Sequence, residues 1–148
     1  MTVPESPTEA ALYTTLTGGT ALTALLAGTA SVYNTVIPAG ASYPCVVFNL
    51  AAGLDANDEP GHRRHQEEYQ VKVVDQTSMA HAGSVAAQID TLLHAVGPGT
   101  ASNLSVSGYR VLFQERVRPV RYVESSAEGQ RFYHAGGIYR VRLEEGTS

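Results

Sequence analysis

Three features of the chain predict an α+β fold: two short N-terminal helices, an antiparallel or mixed sheet of about four to five strands with a long C-terminal hairpin, and one long helix packed across the sheet. Apolar residues recur at helical spacing only near the N-terminus and over residues 78–96, whereas period-two alternation marks residues 66–75 and much of 104–143. The third feature is size: 148 residues, 43% hydrophobic and 16% charged, suit one core and a single domain over 1–148. A domain of this length buries roughly two thirds of its unfolded surface and needs neither disulfides nor a structural metal to fold. Cys45, the only cysteine, rules out an intrachain disulfide and a cysteine-based zinc site.

The first helix is expected to start at the capping box Ser6-Pro7-Thr8-Glu9, present Ala11, Leu12, Thr15 and Leu16 to the core, and stop at Gly18-Gly19. A second helix with Leu22, Leu25 and Leu26 on one side ends at Gly28. From Ser31 the β-branched and aromatic content favours strands, through Val32 to Ile37 and, after a Pro38-Ala39-Gly40 turn, Tyr43 to Leu50. Residues 52–64, with Gly53, Asp55, Asn57, Asp58, Glu59, Pro60 and Gly61, read as an extended loop, mobile in the free subunit. Gln66 to Asp75 alternates, with Tyr69, Val71 and Val73 inward.

The long helix, Ser78 to Val96, repeats Ala82, Val85, Ala86, Ile89, Leu92, Leu93 and Val96 at helical spacing and ends at Gly97-Pro98-Gly99. Ile89 and Leu92 belong to its buried face, and changes at Gln88 or Asp90 are expected to matter little. Leu104 to Val123 and Gln130 to Leu143 form the long hairpin, 104–143, around the polar stretch Glu124 to Gly129. Tyr139, Val141 and Leu143 should face the helix, with Arg140 and Arg142 outward.

Residues 1–109 hold three basic and nine acidic side chains, and residues 110–148 hold seven arginines and five acids, for a net charge of −4. An acidic body with a local arginine cluster disfavours nucleic-acid capture, which draws on a basic surface. No apolar run approaches the roughly 20 residues needed to span a bilayer, and the first residues lack the pattern of a signal peptide, so no membrane partner is expected.

Catalytic chemistry finds little support. His62 and His65 flank Arg63 and Arg64, whose charge opposes a cation site. Cys45 follows Pro44 in an apolar strand, the setting of an inert core thiol. Ser84 lacks the following glycine of a nucleophile elbow, and Gly97-Pro98-Gly99 has no lysine to make a phosphate cradle. His81, His94 and His134 have no partner at ligand spacing. No enzyme activity, cofactor or metal is therefore expected.

The arginines Arg110, Arg116, Arg118, Arg121, Arg131, Arg140 and Arg142 admit two readings: a wet ribbon face paired with Glu115, Glu124, Glu144 and Glu145, or an interface gripping acids on a neighbour. In the second case Asp55 to Glu59 supplies the opposite charge on another copy, which suits a head-to-tail ring.

The order of elements carries a family resemblance. Glu9-Ala10-Ala11-Leu12-Tyr13-Thr14-Thr15-Leu16, then Ala21-Leu22-Thr23-Ala24-Leu25-Leu26, Val32-Tyr33-Asn34 and Ile37 to Phe48 with Tyr43-Pro44 resemble the tail-completion, or tail terminator, proteins of long-tailed bacteriophages. Tyr69 to Asp75 followed by an alanine-rich helix to Leu93 continues the likeness, while the arginine density and Gly136-Gly137 of the last hairpin depart from it. The resemblance implies a structural virion protein at the head-proximal end of the tail, assembled in the host cytoplasm. Its copies would form a ring, commonly a hexamer, that ends tube polymerisation and meets the head connector or neck protein, with DNA crossing the lumen without specific binding. The implied partners are a second copy, the tail tube protein and the head connector. Asp55, Asp58, Glu59, Arg63, Arg64, Arg116, Arg118, Arg140 and Arg142 are the candidate subunit or tube contacts, the last four on the shared outward phase of the hairpin. A head-side connector or neck protein and a small ligand-binding domain are the alternatives.

Overall fold

A computed structural model describes residues 5–28, 31–59, 62–94 and 104–146, with the backbone alone for residues 5, 6, 54–59, 62 and 63. Helix α1 covers Glu5–Gly18 and buries Thr8, Ala11, Leu12 and Leu16, a stripe at spacings of three and four. The helix already includes Ser6, expected as its cap, because a proline fits anywhere in the first turn and does not by itself fix the start. Helix α2, Thr20–Thr23, is a single turn that buries Leu22. Leu26 follows it into the core, but Leu25 is 38% exposed, since one turn is too short to hold all three leucines on one side.

Five strands follow the helices: β1 Val32–Asn34, β2 Cys45–Glu59, β3 His62–Asp75, β4 Tyr109–Ser125 and β5 Arg131–Glu145, with helix α3, Met79–Leu93, between β3 and β4. They form one sheet in the order β1-β2-β3-β5-β4, mixed because β1 runs parallel to β2 while the other pairs are antiparallel. The expected α+β architecture with a long C-terminal hairpin is the one observed.

Residues 52–64 require a correction. They are not a loop: β2 continues to Glu59 and β3 begins at His62, in register from Ala52↔Glu68 to Glu59↔His62. Glycine, aspartate and asparagine there resemble turn composition, yet an antiparallel strand held by its ladder hydrogen bonds tolerates polar residues. Pairing of β3 with β5 on its other side, as far as Arg64↔Glu144, also gives β2 a held template. Two register shifts, at Leu50/Ala52 and Asn57/Glu59, absorb the irregularity. The turn residues Pro60 and Gly61 lie outside the described residues, as do Val96 and the Gly97-Pro98-Gly99 stop.

Ser78 caps α3 by accepting a hydrogen bond from the His81 amide at 3.0 Å. The helix lays Ala82, Val85, Ile89 and Leu93 on β3 and β5. Leu12 and Leu16 of α1, Leu22, and the sheet residues Val46, Phe48, Tyr69, Val71, Val73, Tyr139, Val141 and Leu143 complete this main core. On the other side of the sheet a smaller cluster, Cys45, Val47 and Val74, is covered by Tyr33, Ile37, Tyr43 and Phe132. The rest of that second face is the open face of the sheet.

Gly19 has a second use beyond ending α1. A Cβ at this position would stand 2.5 Å from Leu92 Cδ1, so the glycine admits the leucine of α3 and joins the helices.

Candidate functional site

Residues opposed in paired strands share a face, so the register sorts the charged side chains without further assumption. Rows across β3, β5 and β4 on the open face read Arg64–Glu144–Arg110, Gln66–Arg142–Phe113, Glu68–Arg140–Glu115 and Gln70–Ile138–Arg118. In the first row Glu144 lies 3.4 Å from Arg64 and 2.6 Å from Arg110. In the second, Arg142 donates to Gln66 at 2.9 Å and places its guanidinium 4.7 Å from the Phe113 ring centre. In the third, Arg140 stands between Glu68 at 3.2 Å and Glu115 at 3.7 Å. The paired-ribbon expectation therefore holds for Glu115 and Glu144. Glu124 and Glu145 approach histidines, His134 at 3.4 Å and His65 at 3.5 Å.

The expected shared outward phase of Arg116, Arg118, Arg140 and Arg142 is not observed. A bulge between Arg116 and Arg118 inserts Val117, so Arg118 lies opposite Ile138 on the open face while Arg116 lies opposite Tyr139 on the helical face. There Arg116 Nε is 3.5 Å from Asp90 Oδ1, and its amide donates to His94 Nδ1 at 3.0 Å. Arg64, Arg140 and Arg142 come together with Arg118 one row beyond. Asp55, Asp58, Glu59 and Arg63 lie on the paired arm at the far end of β2 and β3, with Asp55 in register with His65, Glu59 with His62 and Asn57 with Arg63, and Asp58 within the register shift. The acids occupy the outer strand of that arm, because β1 pairs with β2 only through Val46, Val47 and Phe48.

Several polar groups escaped the sequence reading. Glu67, 2% exposed, faces the helices and accepts from Thr8 Oγ1 at 2.9 Å and Tyr69 Oη at 2.8 Å, which ties α1 to the sheet. Asp75, 1% exposed, stands 2.6 Å from His81 Nδ1 across the turn into α3. Asp90, expected on a wet face, accepts from Tyr139 Oη at 3.1 Å. Alternation in β3 placed Glu67 inward, and this was the available signal. The Asp90 and Asp75 contacts depend on where α3 lands. Burial pushes the Cys45 thiol up to about 11, as befits an inert core cysteine. Among the described residues no group of three or more His, Cys, Asp or Glu could hold a metal.

His134 is 6% exposed and stacks on Tyr122 with ring centres 4.2 Å apart. Burial lowers its pKa below the ordinary 6.5, the Lys72 charge lowers it further, and Glu124 opposes both in part. Below about pH 6.5 the unfolded chain takes up a proton that the folded chain refuses, so stability falls as pH drops, until the folded imidazole also protonates. We expect His134→Phe to remove this part of the acid-side loss in urea melts run from about pH 7.5 to about 5. An unchanged slope would show that other groups cause the loss.

The chain matches the family profile described as tail completion protein gp17 over residues 10–123. The chain belongs to the tail completion protein gp17 family. It is thus a structural tail protein, and the matched segment contains the larger part of α1, all of α2, β1 to β3 and α3, and most of β4. Among solved structures, a chain described as "Virion of native gene transfer agent (GTA) particle" shares the fold of this tail completion protein with a TM-score of 0.71. The two are 22% identical, and the likeness covers 97% of this chain and 99% of that one. No curated protein matches the sequence.

Proposed function

We propose that this tail completion protein forms a ring, a hexamer by the family resemblance, at the head-proximal end of the tail. There it ends tube polymerisation and joins the tail to the head connector. It acts through assembly and not catalysis, and DNA crosses the ring without specific binding. The observation that carries this reading is a sheet wider than its core. β2 runs on past exposed Ala51, Ala52 and Gly53 with no strand paired to its outer edge among the described residues, and the β4–β5 end leaves Arg121 to Ser125 exposed. An outer strand edge and an exposed strand end of this extent are surface available to neighbours. The profile match and the fold shared with a chain from a virion particle support the same reading.

The test is loss of the gene combined with localisation. Without the protein, tails are expected to overgrow and remain unjoined to heads. An antibody should label the head-proximal tip of free tails, and native mass spectrometry of the released complex should give a closed ring. Co-purification with isolated heads and not with tails would replace this reading by a head-side connector.

A further inference from the structure

Helix α3 lies mainly over β5 and β3 and leaves much of the helical side of the edge strand β4 bare. Between them runs a cleft of about 240 Å³, walled by Gly83, Ala87 and Asp90 on the helix and by Arg116, Pro119 and Arg121 on the strand. The volume suits protein side chains better than a drug-sized ligand, whose pockets run to about 300–1,000 Å³. The small residues of α3 let Arg121 reach across: a Cβ on Gly83 would stand 3.3 Å from its guanidinium. Arg116 is answered by Asp90, but Arg121 has no ion pair or hydrogen bond among the described residues. Two guanidiniums against one carboxylate leave the cleft positive.

The complementary charge lies at the other edge of the sheet. Residues 45–59 of β2 carry three acids, Asp55, Asp58 and Glu59, and no base. This edge cannot fill the cleft of its own chain, because β3 and β5 separate β2 from β4, which sets the strands roughly 14 Å apart at sheet spacing. Complementary surfaces on opposite edges of one molecule meet only between copies, in a heterologous contact that closes a ring or extends a filament. Strand addition at β4 is the poorer alternative, since Pro119 lacks an amide hydrogen and bulges interrupt the ladder at Val111/Phe113 and Arg116/Arg118.

Resting on the ring reading above, we infer that the acidic outer edge of β2, Asp55 to Glu59, of one copy seats in the α3–β4 cleft of the next, where Arg121 receives a carboxylate. Each copy then offers both halves of the contact.

Two measurements on the full chain, in solution and on assembled tails, test this. Ala87→Cys combined with Asn57→Cys should give a ladder of disulfide-linked multimers on mild oxidation, while either single variant stays monomeric in denaturing gels. Cys45 is buried and does not compete. Separately, Arg121→Glu or Asp58→Arg should each weaken assembly about tenfold or more, and the two together in one chain should restore it. The crosslinking pair reverses no charge, so it decides the matter even if a reversal variant misfolds. Native rings that give no crosslink and tolerate both reversals would overturn this contact and leave the ring reading standing. Rings of Arg121→Glu that form but fail to bind the tube would assign the cleft to the tube protein and overturn it too. If the native protein forms no ring either in solution or on tails, both the contact and the ring reading fall.

Discussion

Gly136→Val is expected to abolish folding, and Gly136→Ala to cost more than about 4 kcal/mol, the range reached only by substitutions that break a core or strain a backbone. At this position of β5 a Cβ would stand 2.1 Å from the Val71 carbonyl oxygen and 2.5 Å from Lys72 Cα, both backbone atoms of the neighbouring strand. A flexible side chain could move away from such a contact, but the β3–β5 ladder cannot, because it runs through the middle of the sheet. Gly53, in β2, is the control: a Cβ there meets nothing within 4 Å, and glycine within a strand is weakening in its own right. Gly53→Ala should leave stability unchanged or slightly raised. Thermal melts of the three variants check this, and a small loss for Gly136→Ala would show that β3 and β5 stand further apart.

Ile89→Ala is expected to cost about 2–5 kcal/mol, since the side chain is wholly buried beneath α3 and the cavity left behind has rigid walls in β3 and β5. Leu92→Ala should cost less. Leu92 is only partly buried and packs over Gly19, near the surface groove between α2 and α3. The expectation of neutrality survives for Gln88 but not for Asp90. Asp90→Ala removes the acceptor of the largely buried Tyr139 hydroxyl and should cost about 1–3 kcal/mol. The order Ile89, then Leu92 and Asp90, then Gln88 in urea denaturation is the result to look for. Equal losses at all four would place α3 in a different rotation on the sheet.

These two cases show which physics could be read from the chain. Helical spacing located α3 and its buried face, and alternation found β3 with Tyr69, Val71 and Val73 inward, because burial of an apolar stripe leaves a periodic mark in sequence. The far half of β2 left no such mark. Its residues carry no apolar alternation, and Asp55, Asn57 and Asp58 have the composition of a turn as much as of a paired strand. The arginine phase failed for a different reason. A period-two reading from Arg116 to Arg118 presumes an unbroken strand, and Val117 breaks it. Pairing of Arg140 with Glu68 joins residues 72 apart, a contact that only the strand order β3-β5 creates.

Those same bulges carry an evolutionary consequence. Deleting Val117 would bring Arg118 next to Arg116 in an uninterrupted ladder, with Arg116 still facing the helices and Arg118 still facing away. The same holds for Leu112 between Val111 and Phe113. The strand can thus shorten by one residue at either point without changing what its neighbours meet. Loss of a residue anywhere between them would invert part of the display. Length differences among relatives should therefore collect inside this strand, at those two positions, and not only in the turns where insertions are ordinarily sought.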